Sequence, residues 1–331
     1  MTLNPISPGH LHSMLLDGPS LWHDRLGAGQ TPLVVVDLDC GLPMPLVDNG
    51  VPLVIVGITD RDVPEEHPGA TACDIVLTRG DSTLDMVADS VRVAPIAATS
   101  LAVLLRGGAD RVIADGLLLE SATYSTLQSG LEFARWRAEH PPRDRPDTRG
   151  PAVTVERAGE CLELTLNRPN VRNALNTRMR DQLCEAFRLV ALDASIREVH
   201  VRGAGEAFCA GGDVEEFGSF PDAATAHIVR LVQSVGRSIA AVADRVTMHL
   251  HGACFGSGIE LPAFAGTVLA APGTLICLPE LRLGLVPGAG GTVSLPRRIG
   301  RHRAARLAFS GERLDARTAL DWGLIDGISS D

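Results

Sequence analysis

The chain has 331 residues, a formal net charge of −10 at pH 7 and 45% hydrophobic residues. This length is enough for one large domain or two modest domains with a well-buried core, and the negative charge disfavours nucleic acid as a general partner. No uncharged apolar run reaches the roughly 18 residues of a membrane-spanning helix, and the N-terminus lacks the pattern of a secretory signal, so we expect neither a membrane-bound nor an exported protein.

The seven cysteines and ten histidines are dispersed along the chain. They lack the paired spacings of a disulfide framework or a metal site. This pattern predicts reduced thiols in a cytoplasmic protein, and we expect neither a metal nor a redox cofactor.

The first half of the chain has strand-like patterns followed by helix-like ones. Three apolar runs with strand character lie at 32–39, 51–60 and 72–78. Residues 82–106 then have apolar positions at helical spacing, with a break at Pro95. Residues 109–138 form a longer amphipathic pattern, which predicts further helical structure.

Residues 138–150 concentrate proline and charge without apolar periodicity. Such a composition is typical of a linker. We therefore divide the chain into an N-terminal region, 1–150, and a second region, 151–331.

The second region repeats one unit, which is a strand, a small-residue turn and a helix. Residues 161–166 alternate as in a half-buried strand, and Asn176 is a suitable N-cap for the helix that follows. The order recurs with a strand at 198–203, a glycine-rich turn at 204–214 and a helix from about 223 to 243. This order is typical of α/β proteins with parallel strands.

Two glutamates between positions 251 and 291 lie among apolar residues. Glu260 follows a run of small residues that lets a ligand approach backbone N–H groups. Glu280 follows a strand-like run at 275–278. Carboxyl groups in apolar surroundings beside free backbone donors suit an acid–base site with an oxyanion hole. The alternative for each piece alone is a loop with a surface glutamate.

Five motifs resemble, in the same order, those of the crotonase family, the enoyl-CoA hydratase/isomerase group. They are LNRPNVRNALN (166–176), AFCAGGDV (207–214), HGACFGSGIEL (251–261), LPELRLGLVPGAGGTVSLPRRIG (278–300) and FSGERLDARTALDWGLID (309–326). The first is similar to a loop that contacts CoA, the second and third to the two oxyanion-hole turns, and the fourth to a catalytic loop. The resemblance implies an α/β crotonase-like (ClpP/crotonase) spiral of ββα units with an additional helical region.

The resemblance also implies an acyl-CoA substrate, with coenzyme A entering only as part of that substrate, and assembly as a homotrimer or homohexamer. The oxyanion-hole donors would be the backbone N–H groups of Ala210 and Ser257, although the family usually has glycine at the second position. The residues expected to contact the CoA portion are Arg172, Ala174, Leu175, Gly211, Gly212, Asp213, Val214 and Gly256.

The reaction implied by the resemblance depends on the two carboxylates. The spacing of Glu260 and Glu280 is that of family members that hydrate 2-enoyl-CoA, with Glu260 expected as general base and Glu280 as general acid. Two close carboxyl groups in an apolar pocket do not both ionise easily. One of them therefore keeps a proton and can act as the acid, while the other is ionised and can act as the base. The alternatives are an enoyl-CoA isomerase, an acyl-CoA thioester hydrolase, or a non-catalytic subunit that binds acyl-CoA.

Residues 84–142 resemble the helices with which family members continue past the last motif. This suggests a permuted or partly duplicated member of the family, in which residues 84–138 pack against residues 259–330. The alternative is an unrelated helical domain that precedes the second region.

Overall fold

The computed structural model describes residues 4–16, 31–40, 44–45, 47–48, 50–108, 111–144 and 150–329. The centre of the predicted linker, residues 145–149, lies outside the described residues.

The N-terminal region begins with a small α/β unit. Its elements are α1 (Pro8–Leu16), β1 (Leu33–Asp37), β2 (Val54–Thr59) and β3 (Ile75–Thr78). The strands are parallel, in the order β1-β2-β3, and mostly buried, so the three predicted strands are confirmed. Continuous runs of valine, isoleucine and leucine suit a parallel sheet because both of its faces are covered.

Helices follow this unit. They are α2 (Thr83–Val93), α3 (Pro95–Arg106), α4 (Ile113–Gln128) and α5 (Leu131–Glu139). Pro95 begins α3, and α2 and α3 are bent by 115° relative to each other. Within the described residues no single helix is long and apolar enough to span a membrane, and only this bent pair reaches that length and composition. Helices α4 and α5 cover most of the amphipathic pattern at 109–138, and Gly130, which has an extended conformation (φ −85°, ψ 166°), separates them.

The second region contains two sheets. Its strands are β4 (Val153–Ala158), β5 (Cys161–Leu166), β6 (Glu198–Gly203), β7 (Val246–Leu250), β8 (Ala253–Phe255), β9 (Thr267–Ala270), β10 (Leu275–Cys277), β11 (Leu314–Asp315) and β12 (Gly327–Ile328). Six of them form a sheet in the order β12-β9-β7-β6-β5-β4, in which all neighbours are parallel except β4 and β5. The others form a small sheet in the order β11-β10-β8.

The helices of the second region include one that begins at the predicted N-cap and one predicted segment that is divided in two. They are α6 (Thr177–Leu192), α7 (Ala223–Val232), α8 (Val235–Ala240), α9 (Ser257–Glu260), α10 (Gly291–Ser310) and α11 (Ala316–Asp321). The side chain of Asn176 accepts the Met179 N–H at 3.0 Å, which confirms the predicted N-cap of α6. The helix predicted from about 223 to 243 is instead split into α7 and α8, since Ser234 caps the start of α8 by accepting the Arg237 N–H at 3.3 Å.

The small sheet places the two predicted carboxylates at one edge. Strands β8 and β10 are parallel, with Phe255 opposite Cys277, and the Gly256 N–H donates to the Cys277 carbonyl at 2.9 Å. The chain continues from β8 into α9, which ends at Glu260, and from β10 into the turn that begins at Glu280.

The helices of the N-terminal region pack against α10 of the second region. Helices α2, α3 and α4 all contact α10, and apolar side chains of both regions share one hydrophobic core. Arg306 of α10 forms an ion pair with Asp81 at 2.8 Å. These contacts agree with the expectation that residues 84–138 pack against 259–330, whereas permutation or duplication as the origin of the segment stays a hypothesis.

Candidate active site

A cavity of about 210 Å³ lies where α4 of the N-terminal region meets α9 and the 288–290 loop of the second region. Six of the predicted site residues line it, namely Leu175, Gly212, Asp213, Ser257, Glu260 and Glu280. The structure therefore brings residues from four of the five sequence motifs to one cavity.

Glu260 is held as a buried carboxylate by the loop that precedes α10. Its side chain is 2% exposed, and its Oε2 accepts the N–H groups of Ala289 and Gly291 at 2.8 and 2.9 Å. Burial raises the pKa of Glu260 to about 7, and the two N–H donors oppose that rise. Glu260 can therefore exist as a carboxylate near neutral pH, which a general base requires.

Glu280 has no comparable donors. It is half-buried, and its Oε2 is itself buried without a hydrogen-bond partner among the described residues. Burial raises the pKa of Glu280 well above its usual range, and the charges of Glu260 and Glu120 add to the rise. A carboxyl group in this environment keeps its proton, which a general acid requires.

Glu120 is a third carboxyl group in the cavity, and the sequence analysis missed it. It belongs to α4 and is 2% exposed. Its Oε1 accepts the Gly290 N–H at 2.7 Å, while its Oε2 accepts the N–H and hydroxyl of Thr292 at 2.9 and 2.6 Å. Burial, followed by the charge of Glu260, raises the pKa of Glu120 to about 8. The signal that singled out Glu260, a glutamate within an apolar run, is also present around Glu120.

The backbone donors that face the cavity differ from those predicted for an oxyanion hole. The Ala210 N–H donates to the Arg172 carbonyl at 2.9 Å, so it is not free to bind an oxyanion, and the assignment of Ala210 is wrong. The N–H groups of Gly212 and Ser257 line the cavity and donate to no backbone carbonyl within the described part of the chain. These two groups are therefore the available donors.

Gly256 fixes the direction of the Ser257 N–H group. It has φ 48° and ψ −119°, a conformation that glycine adopts without strain. A Cβ atom at this position would lie 2.4 Å from Oε1 of Glu280. The Ser257 side chain is 4% exposed, and its hydroxyl lies 3.7 Å from Sγ of Cys209.

The remaining residues predicted to contact CoA are not in the cavity wall. They are Arg172, Ala174, Gly211, Val214 and Gly256. Two of them belong to contacts that fix the 166–176 loop to the 207–214 turn: the Arg172 carbonyl accepts the Ala210 N–H, and the Ala174 carbonyl accepts from the Arg168 guanidinium. Arg168 also forms a buried ion pair with Asp213 at 2.9 Å. The geometry thus assigns Arg172, and Ala174 through Arg168, to holding the first and second motifs together.

Residues 156–331, just over half of the chain, match the protein family described as enoyl-CoA hydratase/isomerase. The putative enoyl-CoA hydratase/isomerase YngF of Bacillus subtilis is 34% identical over 168 residues, which are 50% of this chain and 65% of that protein. The matched part of this chain thus spans less than two thirds of that relative's length.

Two further relatives have different names. The 1,2-epoxyphenylacetyl-CoA isomerase of Escherichia coli is 36% identical over 51% of this chain and 66% of its own length. The 2,3-dehydroadipyl-CoA hydratase of Escherichia coli is 34% identical over 53% of this chain and 68% of its own length. Among solved structures, an enoyl-CoA hydratase from Thermoplasma volcanium matches with a TM-score of 0.52 and 34% identity, over 55% of this chain and 73% of that one.

Proposed function

This chain belongs to the enoyl-CoA hydratase/isomerase (crotonase) family and has its fold, and we propose that it adds water to the double bond of a 2-enoyl-CoA thioester or catalyses the reverse dehydration. The observation that carries the proposal is the pairing of two buried carboxyl groups in one cavity. Glu260 is stabilised as an anion by two N–H donors, whereas Oε2 of Glu280 has no partner among the described residues.

The proposed mechanism begins at the thioester carbonyl. Its oxygen accepts hydrogen bonds from the Gly212 and Ser257 N–H groups, which stabilise the negative charge that develops there. One such donor contributes about 2.7–4 kcal/mol to transition-state stabilisation in a well-studied case. This polarisation makes Cβ of the enoyl group electrophilic.

The two glutamates then supply the proton transfers. The Glu260 carboxylate takes a proton from a water molecule as the oxygen of that water bonds to Cβ, and the π electrons move onto the thioester oxygen as an enolate. The protonated Glu280 delivers its proton to Cα as the carbonyl re-forms. One water is consumed, and one C–O and one C–H bond are made. Glu260 is then protonated and Glu280 is ionised, and transfer of one proton from Glu260 to Glu280 restores the starting state.

The CoA portion is proposed to lie along the first and second motifs. Leu175, Gly212 and Asp213 line the cavity, and the other residues of these motifs shape the path indirectly. Coenzyme A enters as part of the substrate, and the proposed reaction uses no further cofactor. Assembly as a homotrimer or homohexamer and a cytoplasmic location stay predictions.

Isomerisation is the second candidate, because one relative of similar identity is named an isomerase and a single carboxyl group can move a proton between two carbons. The test is to incubate the protein separately with a 2-enoyl-CoA and the corresponding 3-enoyl-CoA and to identify the products by mass spectrometry. Hydration gives a 3-hydroxyacyl-CoA heavier by one water. A species of unchanged mass that elutes at the position of the other enoyl-CoA isomer would indicate an isomerase. Release of free CoA would indicate a thioester hydrolase, and binding without product a non-catalytic subunit.

A further inference from the structure

The cavity contains a cation that the proposed hydration does not use. Arg230 of α7 lines the cavity. Its guanidinium lies over the Tyr124 ring, 4.7 Å from the ring centroid, and donates to the Ser125 hydroxyl. Its Nε is buried without a hydrogen-bond acceptor, and the guanidinium forms no ion pair among the described residues.

Two of the other charged groups in the cavity have contacts of their own. Both carboxylate oxygens of Glu120 accept hydrogen bonds from Gly290 and Thr292. Arg180, which lines the same cavity, pairs with Asp181 at 2.8 Å. Arg230 is thus a partly buried cation that forms no ion pair among the described residues, although the charge of Glu120 acts on it from a distance, and a guanidinium keeps its charge in proteins.

Such a cation is costly unless an anion or a set of hydrogen-bond acceptors compensates it. Apolar groups of Leu117, Tyr124 and Phe217 also line this cavity, so a chain that is apolar along its length and anionic at its end would match the wall. A carboxylate also fits the planar donor fork of arginine.

We propose that Arg230 binds a carboxylate at the far end of the acyl group, so that the substrates are CoA monothioesters of dicarboxylic acids. This inference rests on the proposed acyl-CoA site and adds the chemical class of the acyl group. The other source of an anion is a phosphate of CoA itself, and the experiment distinguishes the two.

The experiment measures Kd by calorimetry for three pairs of saturated thioesters that differ only in the terminal carboxylate. The pairs are glutaryl- and pentanoyl-CoA, adipyl- and hexanoyl-CoA, and suberyl- and octanoyl-CoA. For at least one pair the wild type is expected to bind the carboxylate form about 10- to 100-fold more tightly, as for hydrogen bonds between charged groups. Arg230→Met should abolish this ratio and leave the Kd of the neutral thioester unchanged, which also shows that the cavity is intact.

The matched control is Arg180→Met, which removes a cavity arginine that Asp181 already pairs and should leave the ratio as in the wild type. A wild type without preference in all three pairs, or a preference that survives Arg230→Met, overturns the proposal. Weaker binding of free CoA by Arg230→Met would show that Arg230 binds a phosphate of CoA, and this result would also overturn the proposal. Because saturated thioesters cannot be hydrated, the result does not depend on turnover, and only failure to bind any of them would contradict both proposals.

Discussion

Glu120 and Glu260 accept hydrogen bonds from alternate residues of one short loop. Glu260 accepts the N–H groups of Ala289 and Gly291, and Glu120 accepts those of Gly290 and Thr292. One carboxyl group belongs to the second region and the other to a helix of the N-terminal region. The loop that holds the proposed base is therefore itself held by the N-terminal region.

Replacement of Glu120 tests this arrangement. Glu120→Gln places an amide NH₂ among the donors of Gly290 and Thr292, and leaving a buried polar group unsatisfied costs about 1–3 kcal/mol. We expect lower stability and a lower kcat. Because the charge of Glu120 raises the pKa of Glu280, the high-pH limb of the kcat/KM profile should also move to lower pH. A merely structural role would lower activity without moving that limb.

The control is Asp115→Asn, which removes an exposed carboxylate of the same helix. It should change neither the pH profile nor the stability. An unchanged profile in Glu120→Gln would show that Glu120 does not influence the two proposed catalytic groups.

The pH dependence follows from the separate environments of the two glutamates. Glu260 must be ionised to act as a base, so kcat/KM should rise with pH through its pKa of about 7. Glu280 must be protonated to act as an acid. Because burial raises the pKa of Glu280 well above its usual range, this carboxyl group ionises only at higher pH, where activity should fall. A rise centred near 4.5, the ordinary value for a glutamate, would contradict the assignment.

Gly256 tests the link between backbone conformation and the proposed acid. Gly256→Ala would place a Cβ 2.4 Å from Oε1 of Glu280 and shift this carboxyl group. A displacement of about 1 Å in an active site can lower the rate roughly 100-fold, and we expect a loss of that size in kcat, measured by enoyl-CoA hydration. Gly159→Ala is the control, since Gly159 also has a positive φ (62°) but has no atom within 4 Å of the added Cβ. Equal activity losses in the two variants would indicate a general folding defect.

A buried ion pair connects α3 to the parallel sheet of β1, β2 and β3 in the N-terminal region. Arg106 and Asp74 lie 2.6 Å apart, with side chains 4% and 2% exposed. Arg106→Met leaves the Asp74 carboxylate buried and unpaired, which should lower the free energy of unfolding by about 3–5 kcal/mol, measured in urea.

Arg92→Met is the control for this change, since the Arg92–Asp89 pair is 64% and 62% exposed. An exposed pair contributes about 0–1 kcal/mol. If both variants lost equal stability, the burial of the first pair would have no energetic consequence.

Local patterns were sufficient to predict much of the second region. The N-cap at Asn176 and the two carboxylates of the cavity follow from residue types in short stretches, and the resemblance to a family adds particular donors for an oxyanion hole. The choice of Ala210 failed because a backbone N–H group is free only if no carbonyl accepts its hydrogen bond. The Arg172 carbonyl accepts the N–H of Ala210 and not that of Gly212.

Long-range contacts were less predictable. The role of Glu120 depends on a loop distant in the sequence, and no periodic pattern encodes that contact. Strand β4 was missed because most of its residues are exposed, so it lacks the apolar alternation that identifies a strand. Helices α7 and α8 share one apolar pattern, and the break is made by the non-helical backbone of Gln233 and Ser234 and the hydrogen bond to the Ser234 side chain.

The most direct test of the proposed function is the rate at which Glu260→Gln and Glu280→Gln hydrate crotonyl-CoA, followed by the loss of enoyl-thioester absorbance. Each glutamine keeps the size of the side chain and removes the transferable proton. We predict that kcat falls by about 10²- to 10⁴-fold in both variants, while the Kd for butyryl-CoA stays near that of the wild type. Hydration that persists in either variant would contradict the two-carboxylate mechanism, and so would a wild type that binds 2-enoyl-CoA thioesters with and without a terminal carboxylate and hydrates none of them.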